Sequence, residues 1–160
     1  MKTVLLALAA GLCATTAGAQ QMASYQGYIV CPASQTQDGI DVVAEACGRL
    51  TPPAIPAAGF SSVSELREAQ LDRETFTADV DNYGACVNQL INSYRRPGAP
   101  ADSAAPDQAA CAHAWAEDQA TQIVMDYGRA CVDFSNRSMT DATIEPWSGS
   151  CYPEFGSENG

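Results

Sequence analysis

Residues 62–98 read SVSELREAQLDRETFTADVDNYGACVNQLINSYRRPG, and this stretch decides the fold. Its apolar positions are Val63, Leu66, Ala69, Phe76, Val80, Tyr83, Val87, Leu90 and Tyr94. They recur mostly every three or four residues, which builds one stripe along a helix. Ser62 and Glu65 have the spacing of a capping box. Arg95-Arg96-Pro97-Gly98 closes the pattern with cations suited to a helix C-terminus and then a breaker. The spacing predicts a helix over 62–96. Gly84 in its middle sacrifices about 1 kcal/mol of helix propensity relative to alanine, which points to close packing there.

Working outward, a second stripe runs Trp115, Gln119, Ile123, Tyr127, Ala130, Phe134 and is opened by Pro106, predicting a helix over 106–136. Pro97–Ala105 is a short Pro/Ala/Gly connector, so the two helices are expected to pack as antiparallel neighbours. Upstream, Ile40, Val43, Cys47 and Leu50 recur at helical spacing, and Pro52-Pro53 ends a third, shorter helix over 38–50. Leu50–Phe60 reads as a linker, and the chain beyond Asp141 carries turn residues at Pro146, Gly149 and Pro153. The expected class is mainly α: a long antiparallel hairpin, a shorter N-terminal helix and an irregular tail.

The first residues read as an address. Lys2 precedes an apolar run from Val4 to Leu12, and Ala17-Gly18-Ala19 matches the small-residue pattern of signal peptidase, giving a signal peptide over 1–19 and one domain over 20–160. A lipoprotein signal would need a small residue before Cys13, where Leu12 stands. Cleavage removes Cys13 and leaves Cys31, Cys47, Cys86, Cys111, Cys131 and Cys151, an even set that reads as three disulfides in a secreted or periplasmic protein. If the hairpin turns near residue 100, positions summing to about 200 face each other. That pairs Cys86 with Cys111. Cys131, on the far side of its helix, goes to Cys151, and Cys31 to Cys47 by elimination.

Composition excludes several classes. The net charge of −11 offers no basic stripe for nucleic acid. No apolar run reaches the roughly eighteen residues of a membrane span, so none is expected after signal removal. The only lysine leaves with the signal, which excludes Schiff-base chemistry. Asp79-Val80-Asp81-Asn82-Tyr83-Gly84 opens like a calcium loop but has Tyr83 at the fifth position and Leu90 at the twelfth, where oxygen ligands belong. His113 and Glu117 share a helix face as an ordinary pair, and two ligands do not make a metal site. No G-x-S-x-G occurs, and no cofactor is expected.

The remaining expectation is a non-catalytic interaction module that binds a basic exported protein, in its specific form an inhibitor of a basic exported enzyme. Its surface would comprise Glu65, Glu68 and Asp72 on one helix, Glu117 and Asp118 on the other, and Trp147 and Tyr152 in the tail. High acidity would steer such a partner and make binding salt-sensitive. The alternative is a small-molecule or metal carrier with a pocket between the long helices near Tyr83, Trp115 and Tyr127; a carboxylate-based hydrolase is the lesser one.

Overall fold

The computed structural model describes residues 31–98 and 103–153, so the expected signal peptide lies outside the described residues. Three helices follow in order: α1 (Ala33–Cys47), α2 (Val63–Ser93) and α3 (Ala105–Thr140). Among the described residues there is no strand. The long helices α2 and α3 pack together, and α1 packs chiefly on α3.

Local chemistry sets the helix ends. At the start of α2 the Glu65 amide donates to Ser62 Oγ at 3.2 Å, while the Ser61 amide donates to Glu65 Oε2 at 2.8 Å. The first bond satisfies one of the N–H groups that a helix start leaves unpaired, and the second ties the residue before the cap back to the same turn. The other end closes three residues before the expected Arg96. There Tyr94, Arg95 and Arg96 donate to the carbonyls of Ile91, Asn92 and Ser93 in tightened i−3 bonds, because a residue preceding proline avoids the α conformation. In contrast, α3 runs on to Thr140, since nothing between Phe134 and Asp141 breaks a helix. Similarly, α1 begins five residues earlier than the apolar pattern, directly after Pro32, which needs no amide partner. It stops at Cys47 because Gly48 takes φ 79°, well before Pro52.

The hairpin register follows the expected offset. A Cβ built on Gly84 would stand 2.3 Å from His113 Nε2, so backbone of α2 meets a side chain of α3 there. Farther from the turn, the Arg73 guanidinium lies 4.5 Å from the Tyr127 ring centroid. Two core clusters result. Beside the turn, Phe76, Val80, Tyr83 and Val87 of α2 meet Ala109, Ala112, Ala116 and Ile123 of α3, and Val43 of α1 covers them. Toward the open end, Leu66, Tyr127, Cys131 and Phe134 are covered by Phe60 from the linker and by Ile144, Trp147 and Cys151 from the tail. Small residues bring α1 against α3, and a Cβ on Gly39 would fall 1.9 Å from the Gln108 carbonyl oxygen.

Three disulfides fasten this arrangement: Cys31–Cys111, Cys47–Cys86 and Cys131–Cys151, with Cα separations of 5.5, 5.7 and 5.4 Å. Only the last matches the sequence expectation; the other two pairings are corrected. Cys86 and Cys111 do stand level with each other, but neither points into the seam between α2 and α3. Each is two residues from a seam residue, Gly84 or His113, and so lies about 160° around its own helix from the contact. Cys86 Sγ instead lies 3.6 Å from the Ala46 carbonyl of α1, and Cys111 Sγ lies 3.9 Å from Gln35 Oε1. A Cys31–Cys47 bond is excluded because α1 separates the two by about 22 Å of helix. The short helix thus crosses from α3 to α2, tied at both ends.

Candidate functional site

Five acidic residues were expected to make one recognition surface, and the helices distribute them. All five are exposed. Glu65 is committed to the α2 cap, and the Ser61 amide bonded to its carboxylate holds it below the usual glutamate range. Glu68 and Asp72 follow one turn apart on an exposed flank, about 160° and 120° around α2 from Gly84. Glu117 lies on α3 with its Oε1 3.6 Å from His113 Nε2, so the expected His113–Glu117 pair forms. Asp118 is turned about 100° away from Glu117. Glu68 and Asp72 are brought together, but the set as a whole is not one patch.

The tail aromatics take different roles. Trp147 is half-buried on the open-end core, its ring lying where a Cβ on Gly149 would be, 2.4 Å from Cζ2. Its indole N–H is buried without a protein partner. Tyr152 remains 40% exposed, with its ring on Gly128 where any larger residue would collide. Of the two, Trp147 covers core and Tyr152 is presented.

Tyr83 and Tyr127 are core residues, and burial pushes both hydroxyls above the usual tyrosine range. Trp115 packs half-buried against the turn-proximal cluster. A groove of about 440 Å³ lies elsewhere, between the linker from Pro53 to Gly59 and one flank of α3. Ile55, Ile123 and Ala130 supply apolar wall; Asp126, Arg129, Asp133 and Arg137 supply charge. Arg129 pairs with Asp126, and Arg137 donates to the Phe60 carbonyl, which ties the linker to α3. The sequence signal for this groove was the alternation of sign at Asp126, Arg129, Asp133 and Arg137, spaced three or four apart beside a Pro/Ala linker.

Arg73 is the one charged residue among the buried ones described, 5% exposed. Its Nη2 reaches Glu74 Oε1 at 3.2 Å, while its Nη1 and the Tyr127 hydroxyl have no protein partner. Among the described residues, no three His, Cys, Asp or Glu side chains gather as a metal site, and all six cysteines are cross-linked. No helix among the described residues is long and apolar enough to cross a membrane. Three disulfides fit an oxidising, extracellular environment. Helices and cross-links together define a class: a disulfide-fastened helical hairpin. Comparison with protein-family models, with curated proteins and with solved structures finds no match.

Proposed function

We propose that this chain is exported by way of residues 1–19 and works outside the cytoplasm as a non-catalytic module that binds a basic protein. An exported enzyme held inactive by that contact is the specific form of the proposal. The observation that carries it is unpaired acidity on a rigid frame. The net charge is −11. Among the described residues, only Asp41, Glu74 and Asp126 pair with arginine, so Glu68, Asp72 and Asp118 are left to meet cations from outside. Cross-linked helices hold such charges in place, which lowers the ordering cost on binding.

The test is capture of envelope and medium proteins on the immobilised oxidised protein, with elution by a salt step. A basic protein released at moderate salt, and lost when Glu68→Lys and Asp72→Lys are introduced together, supports the reading. Retention unchanged by those reversals, and separately by Glu117→Lys with Asp118→Lys, removes it. Glu65 is left intact because its carboxylate belongs to the helix cap.

A carrier function is the second reading, and the groove beside α3 favours it because its volume falls in the range of small-ligand sites. Native mass spectrometry of freshly isolated protein checks it: a bound molecule retained by the wild type and lost on Ala130→Trp supports it.

A further inference from the structure

α3 spends its inward side on the two cores and leaves one apolar seam outside. Met125, Val132 and Met139 remain 48%, 39% and 76% exposed. Seven-residue spacing drifts only about 20° per step on a helix, so the three form a nearly straight line. Gly128 and Ser135 lie on one side of it, and the half-exposed Tyr152 ring extends the apolar surface over Gly128. Arg129 and Asp133 lie on the other side.

We propose that this seam is the interface of a weak homodimer in which two α3 helices cross antiparallel about a two-fold axis near Val132. The charge pattern selects a second copy as occupant. In an antiparallel two-fold pair, each flank of a helix faces the same flank of its copy. Arg129 lies about 4.5 Å before Val132 along the helix and Asp133 about 1.5 Å after it, so Arg129 of each chain falls within about 3 Å of axial register with Asp133 of the other, inside the reach of its long side chain. Met125 in turn meets Met139. Arg129 already holds Asp126 within its own chain, whereas Asp133 has no ion pair there among the described residues. Most of a surface of charge −11 repels its copy; here signs alternate, and two copies can approach. Met125 to Met139 spans about 21 Å of helix. That is too little for the ~800 Å² per partner of a standard interface, so dissociation constants of roughly tens to hundreds of micromolar are expected.

Sedimentation equilibrium of the oxidised protein recovered from an exporting host, at moderate salt and rising concentration, tests this. The wild type should approach twice its single-chain mass, while Val132→Glu, at an exposed site that leaves the helix content unchanged, should stay single. Arg129→Glu and Asp133→Arg should each weaken association at least about fivefold, and the two combined should restore it. Val132→Cys should cross-link to its copy on oxidation, whereas Leu71→Cys, at a more exposed position on α2, should not. A wild type that remains single throughout, a dimer unaffected by Val132→Glu, or no recovery in the charge swap overturns the proposal.

Discussion

The contact between α1 and α3 can be probed at one atom. In Gly39→Ala the new Cβ would sit 1.9 Å from the Gln108 carbonyl oxygen and 3.2 Å from the Ala112 amide nitrogen. A comfortable carbon–oxygen contact is about 3.3 Å, so the helices must part by roughly 1.4 Å. The obstacle is backbone on a 36-residue helix, so no rotamer change relieves it. Nor can α1 slide aside freely, because Cys31–Cys111 and Cys47–Cys86 bracket it. Overpacking of this kind costs about 1–3 kcal/mol, and a gap of that width strips much of the dispersion contact from Ile40 and Val43. Against this, alanine gains about 1 kcal/mol of helix propensity. The contact term dominates, leaving a net loss of about 2 kcal/mol and a melting temperature lower by about 5–8 °C for a domain of this size. Differential scanning calorimetry of the oxidised protein measures it. A Gly39→Ala variant that melts at or above the wild type would mean that α1 does not rest on the Gln108–Ala112 turn, and the small-residue packing argument would fall with it.

Three further outcomes are expected. Arg73→Ala should lose about 2–3 kcal/mol by emptying the space its stem fills, whereas Arg73→Met should lose under about 1 kcal/mol or gain, since it keeps the volume and removes an incompletely partnered buried cation; chemical denaturation compares the two. Removing the tail cross-link with Cys131→Ala and Cys151→Ala should cost about 3 kcal/mol and red-shift Trp147 fluorescence as the tail leaves the core, and unchanged emission would count against the packing described. The carboxyls of Glu65, Asp41 and Asp141 are all held below their usual range, by the Ser61 amide, Arg49 and Thr143 respectively. Each therefore contributes stability above about pH 4 that disappears as pH falls through its lowered value. Glu65→Gln should flatten the acid limb of a stability–pH curve.

The hairpin was legible because two long apolar stripes and a Pro/Gly connector leave few alternatives, and its register followed from the connector alone. Periodicity gave less at α1, where Ala33–Gln37 carries no apolar signal and the helix continues because nothing stops it. That omission carried over into the cysteines. With Cys31–Gln37 read as free chain, Cys31 and Cys47 could meet; with the helix starting at Ala33, they cannot. The azimuth of Cys86 was also readable in principle. Gly84 was recognised as a close-packing residue, and a neighbour two positions on must point nearly the opposite way. For the surface, all five acidic positions are exposed, but whether they converge depends on the angle between helices, which no single stripe encodes. The groove was missed because its far wall is linker, whose path is fixed by Phe60 entering the core and by Arg137 grasping the Phe60 carbonyl.

The arrangement also explains why three cross-links accompany so long a hairpin. Two helices of 31 and 36 residues cannot bury each other along their whole length, because a pair has only one mutual face. Each half therefore borrows a cover: α1 beside the turn, linker and tail at the open end. These covers contribute little area and would dock weakly alone. The disulfides act on them, since two tie α1 to the hairpin and the third ties the tail to α3. Cross-linking a cover lowers the entropy it retains when undocked, so modest apolar contact suffices to hold it in place. Among the described residues, no cover reaches the outer face of α3 at Met125, Val132 and Met139. That face is where apolar surface and balanced charge coincide on a chain of net charge −11, and the homodimer proposed there would leave Glu68 and Asp72 on α2 exposed, as the proposed basic partner requires.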